Sequence, residues 1–169
     1  MMLDVRDALK NPGQSYPLAA EISLEPMDVL YEVVAFEDVT MAGQIVGAGE
    51  SVRLMGVCRA RLRAHCALCL CEVEMPIEVE FDEVFAKNPD VSDPDQYPLE
   101  GYEVALNIIA KDVLLLELPM RFVCGANCRG LCPSCGTNRN HQRCTCHEGR
   151  ASKHPLAALS ELLTEDEEV

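Results

Sequence analysis

Tryptophan is absent from the chain, and aromatic residues make up only 5% of its 169 positions. A core with so little bulky material has less apolar area to bury, so metal crosslinks become a natural supplement to its stability. No run approaches the roughly 20 apolar residues that cross a bilayer, which argues against a membrane helix. The opening Met1-Met2-Leu3-Asp4-Val5-Arg6-Asp7 lacks a basic stretch followed by an apolar one, so no secretory leader is expected. Bases are scarce: 14 Lys and Arg stand against 28 Asp and Glu, a formal charge of −14. That balance argues against the whole molecule being a nucleic-acid binder. A phosphate-cradling glycine loop, a nucleophile elbow and an HExxH pattern are all missing, and no pair of carboxylates is singled out. The expectation is a protein that is not an enzyme and has no small-molecule substrate.

What the chain does have is cysteine, ten in all. Eight fall into four short pairs: Cys66-Ala-Leu-Cys69, Cys124-Gly-Ala-Asn-Cys128, Cys132-Pro-Ser-Cys135 and Cys144-Thr-Cys146. Two thiolates a few residues apart grip one ion from a single turn, and two such pairs complete a tetrahedral shell. Eight therefore count out to one or two Zn²⁺ ions, with two preferred. Cys66, Cys69, Cys124 and Cys128 are assigned to the first site, which would pin a hairpin tip to a distant segment. Cys132, Cys135, Cys144 and Cys146 are assigned to a second, local site. Cys128 can also be drawn into the second set, and His141 and His147 are candidate substitute ligands, read here as surface residues because eight thiols suffice. A shell of four thiolates has no open position for water or substrate, so the role is structural. Cysteine pairs in a chain for which no leader is expected point to a reducing, cytoplasmic setting, where metal is favoured over disulfide. A redox dithiol is the rival reading. Cys58 and Cys71 both fall on the apolar parity of their segments and are read as packing.

Charge is segregated. Residues 121–154 hold Arg121, Arg129, Arg139, Arg143, Arg150 and Lys153 against the single acid Glu148. That is about +3 after one four-thiolate zinc site is subtracted and about +1 after two. Arg139 and Arg143, with no acid nearby in sequence, are the better candidates for contact with RNA phosphate, with solvated loop residues as the plainer and favoured alternative.

Alternation places the strands. From Val52 to Cys66 the even positions are Val, Leu, Gly, Cys, Ala, Leu, Ala and Cys, and the odd ones include Arg53, Arg59, Arg61 and Arg63. From Glu72 to Phe85 the parity is mirrored, with Val73, Met75, Ile77, Val79, Phe81 and Phe85 opposite Glu72, Glu74, Glu78, Glu80 and Asp82. Period-two patterning marks half-buried strands. A two-residue turn at Ala67-Leu68 would set Arg63 opposite Glu72, Arg61 opposite Glu74 and Arg53 opposite Asp82, unless a metal knuckle alters the turn. Shorter strands are expected at Leu18–Leu24, Asp28–Val39 and Thr40–Val46. An acidic, proline-rich loop is expected over 88–101, and a helix from Ile108 to about Leu118, capped by Asn107 and stopped by Pro119. A final helix is expected from Pro155, with Leu156, Leu159, Leu162 and Leu163 on one side.

The segment Leu3-Asp4-Val5-Arg6-Asp7-Ala8-Leu9-Lys10-Asn11-Pro12-Gly13, the tip His65-Cys66-Ala67-Leu68-Cys69-Leu70 and the helix end Leu118-Pro119 resemble the YceD-like family. So do Gly130-Leu131-Cys132-Pro133-Ser134-Cys135-Gly136-Thr137-Asn138-Arg139-Asn140, Cys144-Thr-Cys146 and His154-Pro155-Leu156-Ala157-Ala158-Leu159. The likeness spans nearly the whole chain, with Leu68 where the family often has Arg and His154 where it often has Asp. It implies a bacterial role in the accumulation of large-subunit ribosomal RNA. The expected architecture is mainly β (α+β): an antiparallel sheet or partial barrel with a long central hairpin, one packed helix, a C-terminal zinc-knuckle lobe and a short terminal helix. Residues 1–120 would form the β domain and 121–169 the lobe and terminal helix. Expected partners are a ribosome assembly intermediate, ribosomal proteins or the large-subunit rRNA precursor. A zinc-stapled protein–protein adaptor and a thiol redox or metal-handling protein are the alternatives.

Overall fold

The computed structural model describes residues 1–29, 32–89 and 96–146. The chain divides into two compact units, one of Met1–Cys66 with Cys71–Cys124, the other of Ala67–Leu70 with Gly125–Val169.

The first unit is mainly β. In chain order it contains β1 (Met2–Asp4), α1 (Arg6–Lys10), β2 (Ser15–Ile22), β3 (Met27–Val29), β4 (Glu32–Ala48), β5 (Ser51–His65), β6 (Glu72–Ala86), β7 (Gln96–Pro98), β8 (Glu103–Ala105) and α2 (Leu106–Leu116). The main sheet has the order β2-β4-β5-β6-β7, with β3 also on β4, and β1 pairs with β8 separately. Every pairing is antiparallel except that of β6 with β7, so the sheet is mixed.

β5 and β6 bury the faces that their alternation marks. Val52, Leu54, Cys58 and Leu62 are almost wholly enclosed, together with Leu106, Ile109 and Leu114 of α2. This is the apolar stripe of an amphipathic helix laid on a one-sided sheet. The register differs from the two-residue-turn expectation by two positions. Arg63 faces Glu74, Arg61 faces Pro76 and Arg53 faces Val84. The ladder closes with the Cys66 N–H donating to the Cys71 carbonyl at 2.8 Å, so four residues, 67–70, make the connection. A cysteine turn needs that length, and a shift of two preserves which face each side chain occupies.

The same ladder explains a proline in mid-strand. With Cys66 and Cys71 a hydrogen-bonded pair, the even residues of β6 direct their backbone groups away from β5. On that side β7 covers only Val84–Ala86, so Pro76 removes no ladder donor.

Two strands expected over 28–39 and 40–46 are instead β3 and one long strand, β4. The break shows as a bulge between Glu37 and Thr40, where Asp38 takes a φ of 51°. At Gly43 and Gly56, paired across β4 and β5, a Cβ on either would collide with the opposing backbone. Two bare backbones let these long strands approach and bend. Residues 96–98 of the expected loop form β7. The helix begins at Leu106, earlier than expected, and Asn107 is not its cap. The N-cap is Ala105, without a side-chain bond, and Asn107 Oδ1 accepts from the Met1 amine at 3.3 Å. The expected final helix lies outside the described residues.

Candidate metal centres

Two turns of the chain have the same construction. In Cys66–Cys71 the first cysteine's N–H donates to the carbonyl five residues on, at 2.8 Å, and in Cys132–Thr137 the equivalent bond is also 2.8 Å. In each, the residue after the second cysteine is left-handed: Leu70 at φ 58° and Gly136 at φ 71°. Glycine adopts that conformation without penalty, whereas a side chain there costs about 1 kcal/mol. Pro133 suits the start of its turn because its φ is already fixed.

These turns gather sulfur. The Sγ atoms of Cys66, Cys69, Cys124 and Cys128 lie within 4.8 Å of one another, and so do those of Cys132, Cys135, Cys144 and Cys146. A tetrahedral Zn²⁺ about 2.3 Å from each ligand sets its sulfurs about 3.8 Å apart, so both quartets are close enough to gather around an ion of that kind. Cys66, Cys69 and Cys132 are buried, Cys128, Cys144 and Cys146 half-buried, and Cys124 and Cys135 exposed.

In the second quartet, backbone N–H groups of Ser134 and Cys135 hold the Cys132 thiol below its ordinary range. The Thr137 side chain, then its N–H, bring Cys135 down to about 6, and Thr137 Oγ1 lies 3.2 Å from that sulfur. The other two thiols move the opposite way: Cys132 pushes Cys144 up, and Cys135 pushes Cys146 up to about 11. Four thiols this close cannot all ionise unaided, because each new negative charge opposes the next. A thiophilic dication removes that conflict, and the all-sulfur donor set fits one. At the first quartet, Asn140 Nδ2 donates to Cys128 Sγ at 3.3 Å, and Asn140 Oδ1 accepts from the Arg129 N–H at 2.8 Å. An outer partner of this kind orients a ligand. Thr137 and Asn140 stand in the Gly130–Asn140 segment that carries the family resemblance, and nothing in the sequence marks them as partners of the sulfurs.

The remaining candidates fall elsewhere. Among the described residues neither quartet includes a histidine: His141 is exposed, and His147 lies outside the described residues. Cys58 is wholly buried in the core, where loss of hydration pushes its thiol up to about 11. Cys71 is half-buried and belongs to neither quartet.

Arg139 and Arg143 are exposed, as is Arg129, and no described carboxylate pairs with any of them. Their unit contains no Asp or Glu among its described residues. Its backbone is stitched together by the Leu131 N–H on the Leu68 carbonyl at 2.8 Å and the Arg139 N–H on the Gly130 carbonyl at 2.9 Å. Gly130 must be glycine: its φ is 66°, and a Cβ would stand 2.9 Å from the Leu68 oxygen.

No helix among the described residues is long and apolar enough to cross a membrane. The family model described as Large ribosomal RNA subunit accumulation protein YceD matches residues 54–163. An uncharacterised protein of Mycobacterium tuberculosis is 27% identical over 144 residues, covering 80% of this chain and 69% of its own length. The chloroplastic Large ribosomal RNA subunit accumulation protein YCED homolog 1 of Arabidopsis thaliana is 32% identical over 82 residues, 46% of this chain and 25% of its own. The uncharacterised protein YlbN of Bacillus subtilis is 25% identical over 162 residues, 93% of each chain. No solved structure matches.

Proposed function

The chain belongs to the YceD family, and on that premise we propose that it is a non-enzymatic, cytoplasmic zinc protein that supports accumulation of large-subunit ribosomal RNA by binding an assembly intermediate. The observation that carries the reading is the presence of two four-sulfur clusters together with three exposed arginines, Arg129, Arg139 and Arg143, that no described carboxylate pairs with. Two Zn²⁺ ions, one per quartet, act as structural staples, and full thiolate coordination leaves them no open position for catalysis. The Cys132 quartet holds the loop that carries Arg139 and Arg143, which approach the RNA phosphates. The sheet unit, with 22 acidic and 9 basic residues, is suited to basic ribosomal proteins or assembly factors.

The test is deletion of the gene followed by quantification of mature and precursor large-subunit RNA. A fall in the mature form is expected, restored by the wild-type gene and not by one carrying Cys132→Ser with Cys135→Ser. Normal levels in the deletion strain would count against the proposal. If the partners that co-purify carry no RNA after nuclease-protected capture, the protein–protein adaptor reading takes its place.

A further inference from the structure

Among the described residues two other than glycine have a positive φ, Asp38 and Leu70, and they are not alike. Asp38 sits at a β-bulge, has the short polar side chain that tolerates this region, and is bound by Arg61. Leu70 has none of these reasons. The residue is 63% exposed, so the core does not hold it there. In the matching turn the same position is Gly136, with nearly the same backbone. Position 70 therefore keeps a side chain that the local conformation disfavours and the interior does not use. Strain retained in this way points to a contact made outside the chain.

The surroundings indicate the kind of contact. Leu68, two residues back, is 39% exposed, and its carbonyl accepts from the Leu131 N–H. Leu131 is next to Gly130, whose carbonyl accepts from Arg139, and Arg129 precedes it. The two leucines thus belong to the same hydrogen-bonded framework as Arg129 and Arg139, in a unit with no described carboxylate. Exposed alkyl groups on the same backbone framework as guanidinium groups that no described carboxylate answers suit single-stranded RNA, whose phosphates take the cations and whose splayed bases offer apolar faces.

We infer that Leu70, with Leu68 beside it, packs against unpaired bases of the ribosomal RNA whose phosphates the arginines hold. The inference rests on the ribosomal-RNA reading and adds to it the side chains that meet the bases. Full-length, metal-containing protein is titrated against short labelled single-stranded fragments transcribed from large-subunit ribosomal RNA, across a salt series. Leu70→Gly should weaken binding about fivefold or more, the scale of losing one base contact. Its salt slope should be unchanged because no phosphate contact is lost. Its metal content should equal that of the wild type, and its melting temperature should be equal or higher, because the strain is gone. Leu70→Asn, which tolerates the left-handed region, should behave as the glycine variant does, and Leu70→Met should bind nearly as the wild type. Wild-type affinity in both the Gly and Asn variants would overturn the inference, as would loss of metal in both or Leu70-dependent capture of a protein without RNA. Binding lost in Arg139→Gln with Arg143→Gln but kept in Leu70→Gly removes this inference alone. A wild type that binds no fragment defeats the ribosomal-RNA reading as well.

Discussion

The arginines of the sheet and those of the cysteine-rich unit live in opposite electrostatic settings. On β5, Arg53 reaches Asp82 at 2.6 Å, Arg59 reaches Glu78 at 2.6 Å, Arg61 holds Asp38, and Arg63 spans Glu37 at 2.7 Å and Glu72. The carboxyls respond: Arg63 holds Glu37 below its usual range, and Arg53 does the same to Asp82. Arg63 and Glu37 are half-buried and the other pairs mostly exposed, so the pairs contribute little stability and act mainly to neutralise the outer face of the sheet. Arg129, Arg139 and Arg143 have no such answer among the described residues. A guanidinium already neutralised by its own chain has little to offer a phosphate, whereas an unanswered one does. Within one acidic molecule, the described arginines thus stand in two settings that a count of bases does not separate.

The largest effect that would break this comparison is metal removal. A strong chelator should abolish hydrogen-exchange protection at the amides of Leu131, Cys132, Gly136 and Arg139, because metal binding and folding of a small thiolate site are coupled on the scale of about 10 kcal/mol. Amides in the centre of β5 should stay protected, because their core is apolar. Equal loss in both regions would contradict the contrast. Next comes the core itself. Leu62→Ala removes a fully buried side chain and should cost about 2–5 kcal/mol by denaturant unfolding of the sheet.

A third prediction concerns pH. The Cys58 thiol has its folded pKa raised by burial from 9.0 to about 11. The unfolded chain therefore gives up this proton first as pH rises, and the contribution is fully present below about pH 9 and lost towards pH 11. Stability should fall by about 2 kcal/mol more in the wild type than in Cys58→Ala across that window. Parallel curves would contradict the assignment. The smallest effect sharpens the arginine contrast. Arg139→Gln with Arg143→Gln should reduce the slope of log affinity for RNA against log salt by about 2, whereas Arg59→Gln with Arg61→Gln should leave it unchanged.

Some of this was readable in the residues before any coordinates. The alternation over 52–66 and 72–85 located the paired strands and their buried faces, because a one-sided sheet forces period two on its sequence. The grouping of the eight sulfurs was legible from spacing, since close pairs can share a turn. The hairpin register was not legible, because turn length decides it and the Cys66–Cys71 turn takes two residues more than the tightest hairpin. Strands β7 and β8, at three residues each, are too short for any periodicity to show, and the five-residue α1 carries no side-chain cap. Leu70 looked like one more leucine. Only its backbone angle, set beside that of Gly136, marks it out.

The central claim is that each sulfur quartet holds an ion, and native mass spectrometry of protein made without added metal tests it most directly. The account predicts two zinc ions per chain, falling to one when Cys132 and Cys135 are both replaced by serine. Protein that is folded and metal-free would contradict it.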